Sequence, residues 1–170
     1  MRKKVKFIME FKKGNIDGIA ITKLIKYLDE RGFLIETFRN DALSETQHPQ
    51  MSYISYTESG IGRGPHEHEA QTDIFVFLGP GNFKIYLWDN RKEKASYGNR
   101  MIFFGGVDSP IMVIIPPGII HGYKNISKNE RGMVLNYPNK LYAGFNKKEK
   151  TDEIRHEDKK DYFYQEFITL

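Results

Sequence analysis

Arg63-Gly64-Pro65-His66-Glu67-His68 (RGPHEH) and, roughly fifty residues later, Pro116-Pro117-Gly118-Ile119-Ile120-His121 (PPGIIH) hold three of the five histidines of this chain in two short blocks. Successive side chains of a strand point to opposite faces, so His66 and His68 share one face and Glu67 takes the other. Each block adjoins a strand-like run, and imidazoles that converge between strands do proton-transfer or metal chemistry. The pattern therefore points first to an enzyme with a strand-built pocket.

Composition bounds the rest. The 170 residues, 39% hydrophobic and 14% aromatic, suffice for one well-buried core and are short for two, which predicts a single domain over 1–170. The formal charge is +4, from 26 Lys and Arg against 22 Asp and Glu, and the basic residues are scattered. A scattered excess weakly favours an anionic ligand and argues against a nucleic-acid partner. Without cysteine there is neither a disulfide framework nor a thiolate metal site. The start, MRKKVKFIMEFKKG, lacks a sustained apolar core, and no later run reaches the roughly 18 apolar residues of a membrane span. The expectation is a cytoplasmic protein with no membrane partner.

Short β-branched and aromatic runs between Gly, Pro, Asn and Asp predict strands at 4–11, 18–25, 34–38, 51–57, 73–78, 82–88, 100–104, 111–115, 122–125 and 132–137. Gly79-Pro80-Gly81-Asn82 reads as a hairpin turn. Strands at this spacing suggest a sandwich or barrel. The window 19–31 fits a helix through Ile21, Leu24, Ile25 and Leu28, while 18–25 fits a strand equally well. The charged stretch NKKEKTDEIRHEDKKD is expected to run over the surface before 162–168 packs back.

Chemically, His66, His68, Asp73 and His121 together offer three nitrogens and one oxygen to a divalent metal, with positions left open for a ligand. The same residues also work without metal. A neutral imidazole held by a carboxylate is a general base suited to removing a proton alpha to a carbonyl.

HxH with a carboxylate five residues on, then Pro116-x-Gly118-x-x-His121-x-x-x-Asn125, resembles the two motifs of the cupin barrels. More specifically, the chain resembles the dTDP-4-dehydrorhamnose 3,5-epimerase family. The resemblance rests on Glu30-Arg31-Gly32-Phe33 with Glu36, on Arg63 to His66, and on Ala70 and Gln71. It continues through the run holding Asp89, Arg91, Tyr97 and Gly98 and through Pro116 to Tyr123, covering about 16–142 in the family's order. It implies an all-β cupin, a double-stranded β-helix jelly-roll barrel with short helical or irregular segments at the termini. The implied activity is epimerisation of a nucleotide-linked keto-deoxy sugar, without a cofactor, by a homodimer.

By the same resemblance His66 is the base and His121 lies in the pocket. Arg63 contacts the nucleotide diphosphate, and Arg31 and Glu36 serve the nucleotide site, commonly across a dimer interface. A guanidinium suits this because its planar fork pairs with phosphate oxygens. Tyr142 is a candidate for stacking on the nucleotide. The chain departs from the family pattern at several positions. Asn136 stands where the family has its acid tyrosine, with Tyr137 beside it facing the other way unless a bulge intervenes. Asp73 replaces a lysine and Lys84 a carboxylate, as though a cross-strand pair had exchanged polarity, and His68 stands where a glutamine is usual. For the family's aspartate that orients the base, Asp158 and Asp161 are loose candidates. Three readings follow: a sugar-nucleotide epimerase or isomerase, a metal enzyme using His66, His68, Asp73 and His121, and a non-catalytic sugar-binding module.

Overall fold

The computed structural model describes residues 11–170. Of the expected strand 4–11 all but Phe11 lies outside them. The strands are β1 (Lys12–Lys13), β2 (Ala20–Lys23), β3 (Tyr27–Asp29), β4 (Gly32–Leu34), β5 (Tyr53–Thr57), β6 (Gly62–Glu67), β7 (Asp73–Phe77), β8 (Asn82–Asp89), β9 (Asn99–Gly106), β10 (Ile111–Ile115), β11 (Ile119–Asn125), β12 (Gly132–Asn136) and β13 (Ile154–Arg155). Two helices, α1 (His156–Lys159) and α2 (Tyr162–Thr169), end the chain. None is long and apolar enough to cross a membrane.

One sheet runs β1-β9-β8-β11-β6-β13 and the other β2-β10-β7-β12-β5, while β3 and β4 form a separate arm. This is the expected all-β cupin architecture with one correction. Among the described residues the strand ladders do not continue from one sheet into the other, so the two sheets pack face to face without closing into a barrel.

Side-chain alternation builds three apolar layers. Phe75 and Phe77 of β7 with Ile111, Val113 and Ile115 of β10 meet Phe83, Ile85 and Leu87 of β8 and Ile119 and Tyr123 of β11 between the sheets. The alternate residues Ile74, Val76, Met112 and Ile114 point outward and are covered by Leu24, Phe38, Leu43 and Tyr137. On the far side Tyr86, Trp88 and Ile120 lie under Phe11, Phe163 and Phe167. Coverage on both faces is why β7 and β10 read as unbroken apolar runs. Each fully buried large side chain contributes about 1.5–3 kcal/mol.

Segment 19–31 resolves as β2 plus the β3–β4 arm. Its apolar residues have a sheet edge to join, with Ile21 opposite Val113 of β10. The expected strand 34–38 ends at Leu34, because Phe38 turns onto the outer layer against Tyr137, with ring centroids 4.8 Å apart. Gly79 to Asn82 makes no hairpin: β7 pairs with β10 and β12, β8 with β9 and β11, and the turn carries the chain between sheets.

The tail is also more than a surface run. β13 pairs with β6, placing Arg155 beside His66, and His156 is buried between Glu67 (3.1 Å) and Asp161 (2.6 Å). Asp161 additionally caps α2 by accepting from the Phe163 and Tyr164 amides. Phe167 then packs where Gly62 leaves room, since a Cβ there would sit 2.6 Å from its ring.

One irregularity sets the geometry of the RGPH block. His121 pairs with His66 and Tyr123 with Arg63, two steps on β11 against three on β6, which is a β-bulge. Directly paired residues share a face, so Arg63 and His66 both turn inward although they are three apart. Gly64 within the bulge has φ +82°, and a Cβ there would lie 2.7 Å from the His121 carbonyl oxygen.

Gly64→Ala is expected to cost about 1–3 kcal/mol, a fall in Tm of roughly 3–10 °C for a chain of this size, measured by calorimetry. Burial alone would lower the His156 pKa, but hydrogen bonds to Glu67 and Asp161 more than offset it and raise the value. A raised folded-state pKa stabilises fully below about pH 6.5 and is lost as pH rises through that pKa. Urea titrations at pH 5.5 and pH 8.5 should show this component, and His156→Gln should abolish it.

Candidate active site

The inner rows of the two sheets carry polar residues at one end. Asp73 precedes Phe75 and Phe77 on β7, His121 lies between Ile119 and Tyr123 on β11, and Asn136 follows Val134 on β12. The bulge in β6 adds His66, and His68 follows the strand end. Ring centroids are 4.3 Å apart for His66 and His121, 5.2 Å for His66 and His68, and 5.9 Å for His68 and His121. Glu67 faces away and binds His156, as alternation requires.

Asp73 is the centre. Its side chain is 1% exposed, and Oδ1 accepts from Gln71 Nε2 (2.9 Å) and Asn136 Nδ2 (2.8 Å). Oδ2 faces His68 Nε2 at 3.1 Å and His121 Nε2 at 3.3 Å, neither aligned as a hydrogen bond. Both rings are held from behind: His121 Nδ1 donates to the Ile119 carbonyl (2.9 Å) and His68 Nδ1 to the Asp152 carbonyl. With Nδ1–H so committed, each neutral ring presents an Nε2 lone pair to a carboxylate; Gln71 Nε2 reaches the His68 lone pair at 3.2 Å, His121 Nε2 has no partner among the described residues, and the remaining repulsion calls for a cation between the groups. A proton or a metal ion meets that need. Two ligands about 2.0–2.1 Å from one ion in a tetrahedral site stand about 3.3 Å apart, which matches this spacing. One nitrogen from each of His66, His68 and His121 and one Asp73 oxygen lie within 4.8 Å of one another.

Charge follows from these contacts. Burial, then the His121 and His68 imidazoles, hold His66 well below the ordinary histidine value. Burial opposes charge on His68, but the adjacent Asp73 raises its pKa. Asp73 is lowered because contacts to the two imidazoles outweigh its burial.

Other expected residues lie apart. Lys84 does not pair with Asp73: it alternates to the outer face of β8, where Nζ donates to the Leu170 carbonyl and sits 5.2 Å from the Tyr86 ring centre. Arg31 is on the β3–β4 arm, bound to Asp29, and Glu36 meets Arg39 beside a groove on the outer face of the second sheet. Within one chain neither reaches the histidines. Arg63 is held at the rim, donating to Thr57 Oγ1 (3.0 Å) and the Tyr56 carbonyl (2.6 Å). Tyr142 is exposed and lines a cleft with His68, Gln71, Asp152 and Arg155. No bulge turns Tyr137 inward; its hydroxyl meets Thr37 at 3.2 Å. Asp161 orients His156 instead of His66, and Asp158 is exposed on α1.

Several site residues escaped the sequence reading. Tyr53 Oη accepts from Asn136 Nδ2 at 2.8 Å, Asp152 supports His68, and Arg155 pairs beside His66. Gln71 entered only as part of a motif, without its contact to Asp73. A signal for the tail existed in the alternation of Ile154 and His156 with charged neighbours, hidden by the surrounding lysines.

A family model described as dTDP-4-dehydrorhamnose 3,5-epimerase matches residues 13–162. The chain is 34% identical over 109 residues to the spore coat polysaccharide biosynthesis protein SpsL of Bacillus subtilis (strain 168), covering 64% of this chain and 71% of that protein. It is 34% identical over 129 residues to the probable low-salt glycan biosynthesis epimerase Agl13 of Haloferax volcanii, covering 75% and 81%. Among solved structures, dTDP-6-deoxy-D-glucose-3,5-epimerase RmlC of Legionella pneumophila Philadelphia 1, in complex with dTDP-4-keto-L-rhamnose, superposes with a TM-score of 0.70 at 21% identity over 86% of this chain and 76% of that one. The match over nearly the whole described chain, on a two-sheet fold with the histidine blocks at one end, places this protein in the dTDP-4-dehydrorhamnose 3,5-epimerase family.

Proposed function

We propose that this chain is a sugar-nucleotide epimerase that removes a proton beside the keto group of a nucleotide-linked 4-keto-deoxy sugar, with His66 as the base. The observation that carries this reading is the state of His66. Its imidazole is kept neutral by burial and by two neighbouring imidazoles, and among the described residues no hydrogen bond occupies either ring nitrogen. A neutral imidazole with its lone pair uncommitted is in the protonation state that a general base needs. The electrons left behind collect on the keto oxygen, and positive charge on His68, which Asp73 favours, lowers the energy of that oxyanion through space. Arg63, fixed at the rim, suits a diphosphate.

The arm bearing Arg31 also exposes Leu28, Phe33 and Leu34. In a homodimer it would bring Arg31 and Glu36 to the neighbouring site. Nothing in this chemistry needs a membrane, in keeping with a cytoplasmic enzyme.

The lone-pair arrangement around Asp73 Oδ2 favours a second reading, in which a divalent metal is held by His66, His68, Asp73 and His121. Protein purified without chelator would then carry about one metal per chain and lose thermal stability on chelation. Metal far below one per chain, with an unchanged Tm, assigns the cation to protons.

Incubation with a dTDP-linked 4-keto-6-deoxyhexose in deuterated water, followed by proton NMR, tests the first reading. Exchange is expected at a carbon next to the carbonyl, and His66→Ala should slow it by at least about 10²-fold. A wild-type protein that exchanges no proton on any such sugar is a binding module.

A further inference from the structure

Inversion at a carbon needs a proton removed from one face and another delivered to the opposite face. Asn136, at the position expected for the acid, has only an amide and no proton to give. We infer that Tyr53 is the acid, delivering its phenolic proton to the carbon that His66 has deprotonated; this rests on the reading of His66 as base.

The register of β5 and β12 places Tyr53 directly opposite Asn136. The Asn136 amide has one sensible orientation, because the Asp73 carboxylate accepts from Nδ2 and would repel Oδ1. The same Nδ2 donates to Tyr53 Oη at 2.8 Å. The phenol therefore acts as acceptor toward Asn136, and among the described residues its own proton has no acceptor. That proton is available to a ligand, and the amide is in place to stabilise the phenolate left after transfer. Burial, then the nearby Asp73 charge, raises the Tyr53 pKa and keeps it protonated before reaction.

Placement agrees. His66 hangs from the six-stranded sheet and Tyr53 from the five-stranded one, so acid and base stand on facing walls of the same space. Tyr53 as a residue is 43% exposed while its hydroxyl reaches the buried Asn136, so it spans from rim to floor. Two other tyrosines near the histidines or Asn136 are committed elsewhere. Tyr123 Oη lies among the core residues, bonded to Ser55 at 2.8 Å, and Tyr137 packs on the outer layer.

The step balances without any further reactant. The C–H bond breaks, its proton goes to His66 and its electrons to the keto oxygen; a new C–H bond forms with the Tyr53 proton, and water restores both side chains.

The test compares wild type with Tyr53→Phe on a dTDP-linked 4-keto-6-deoxyhexose in deuterated water, reading isotope exchange and epimer formation separately. Loss of the acid should lower epimer formation about 10²–10⁴-fold while exchange, now from the face of His66 with retained configuration, stays within about tenfold of wild type. Removing this one hydroxyl while the ring stays in place should shift Tm by no more than about 4 °C. Epimer formed by the variant within about threefold of wild type overturns the role of Tyr53, as does a parallel fall in exchange and epimerisation. A wild type that exchanges no proton overturns the reading of His66 and this inference with it.

Discussion

A carboxylate with almost no exposure, at the end of an apolar strand, is the constraint around which the rest of this molecule is arranged. A buried charge is tolerated only when its oxygens are met by donors or a cation. Asp73 is met by Gln71 from the preceding loop, Asn136 from β12, His121 from β11 and His68 from the end of β6. Each in turn is held by something else: His121 by its own strand, His68 by Asp152 of the tail, Asn136 by its contact with Tyr53. The site thus draws on both sheets and on the C-terminal segment.

The packing explains why such a site is precise. Three apolar layers leave each strand little freedom to slip, because a shift of one residue would send Phe75 and Phe77 outward and Ile74 and Val76 inward. Strand parity then decides which polar residues meet. His121 and Asp73 fall on inner rows, Lys84 on an outer one. The bulge at Gly64 is the exception that the site requires, since regular pairing would turn Arg63 and His66 to opposite faces.

Much of this was legible in the residues. Short β-branched and aromatic runs between turn residues located most strands from β5 to β12, and HxH with its following carboxylate and PxGxxH located the three imidazoles and the carboxylate that meet between the sheets. What failed did so for identifiable reasons. The exchanged pair of Asp73 and Lys84 presumed that β7 and β8 pair, whereas the turn at Gly79 to Asn82 crosses between sheets. The tail read as solvated because its lysines outnumber the half-buried Ile154 and the buried His156 and Phe167. Tyr53 drew no notice because its importance depends on a partner 83 residues away.

The sequence by itself determined the alternation of apolar and polar residues, the two histidine blocks and the kinship they imply, because these are properties of neighbours along the chain. Only the tertiary structure decided which strands pair, that His156 locks the tail against β6, and that Tyr53 meets Asn136. Those facts depend on the register between distant strands, and register is settled by the packing of whole layers against one another.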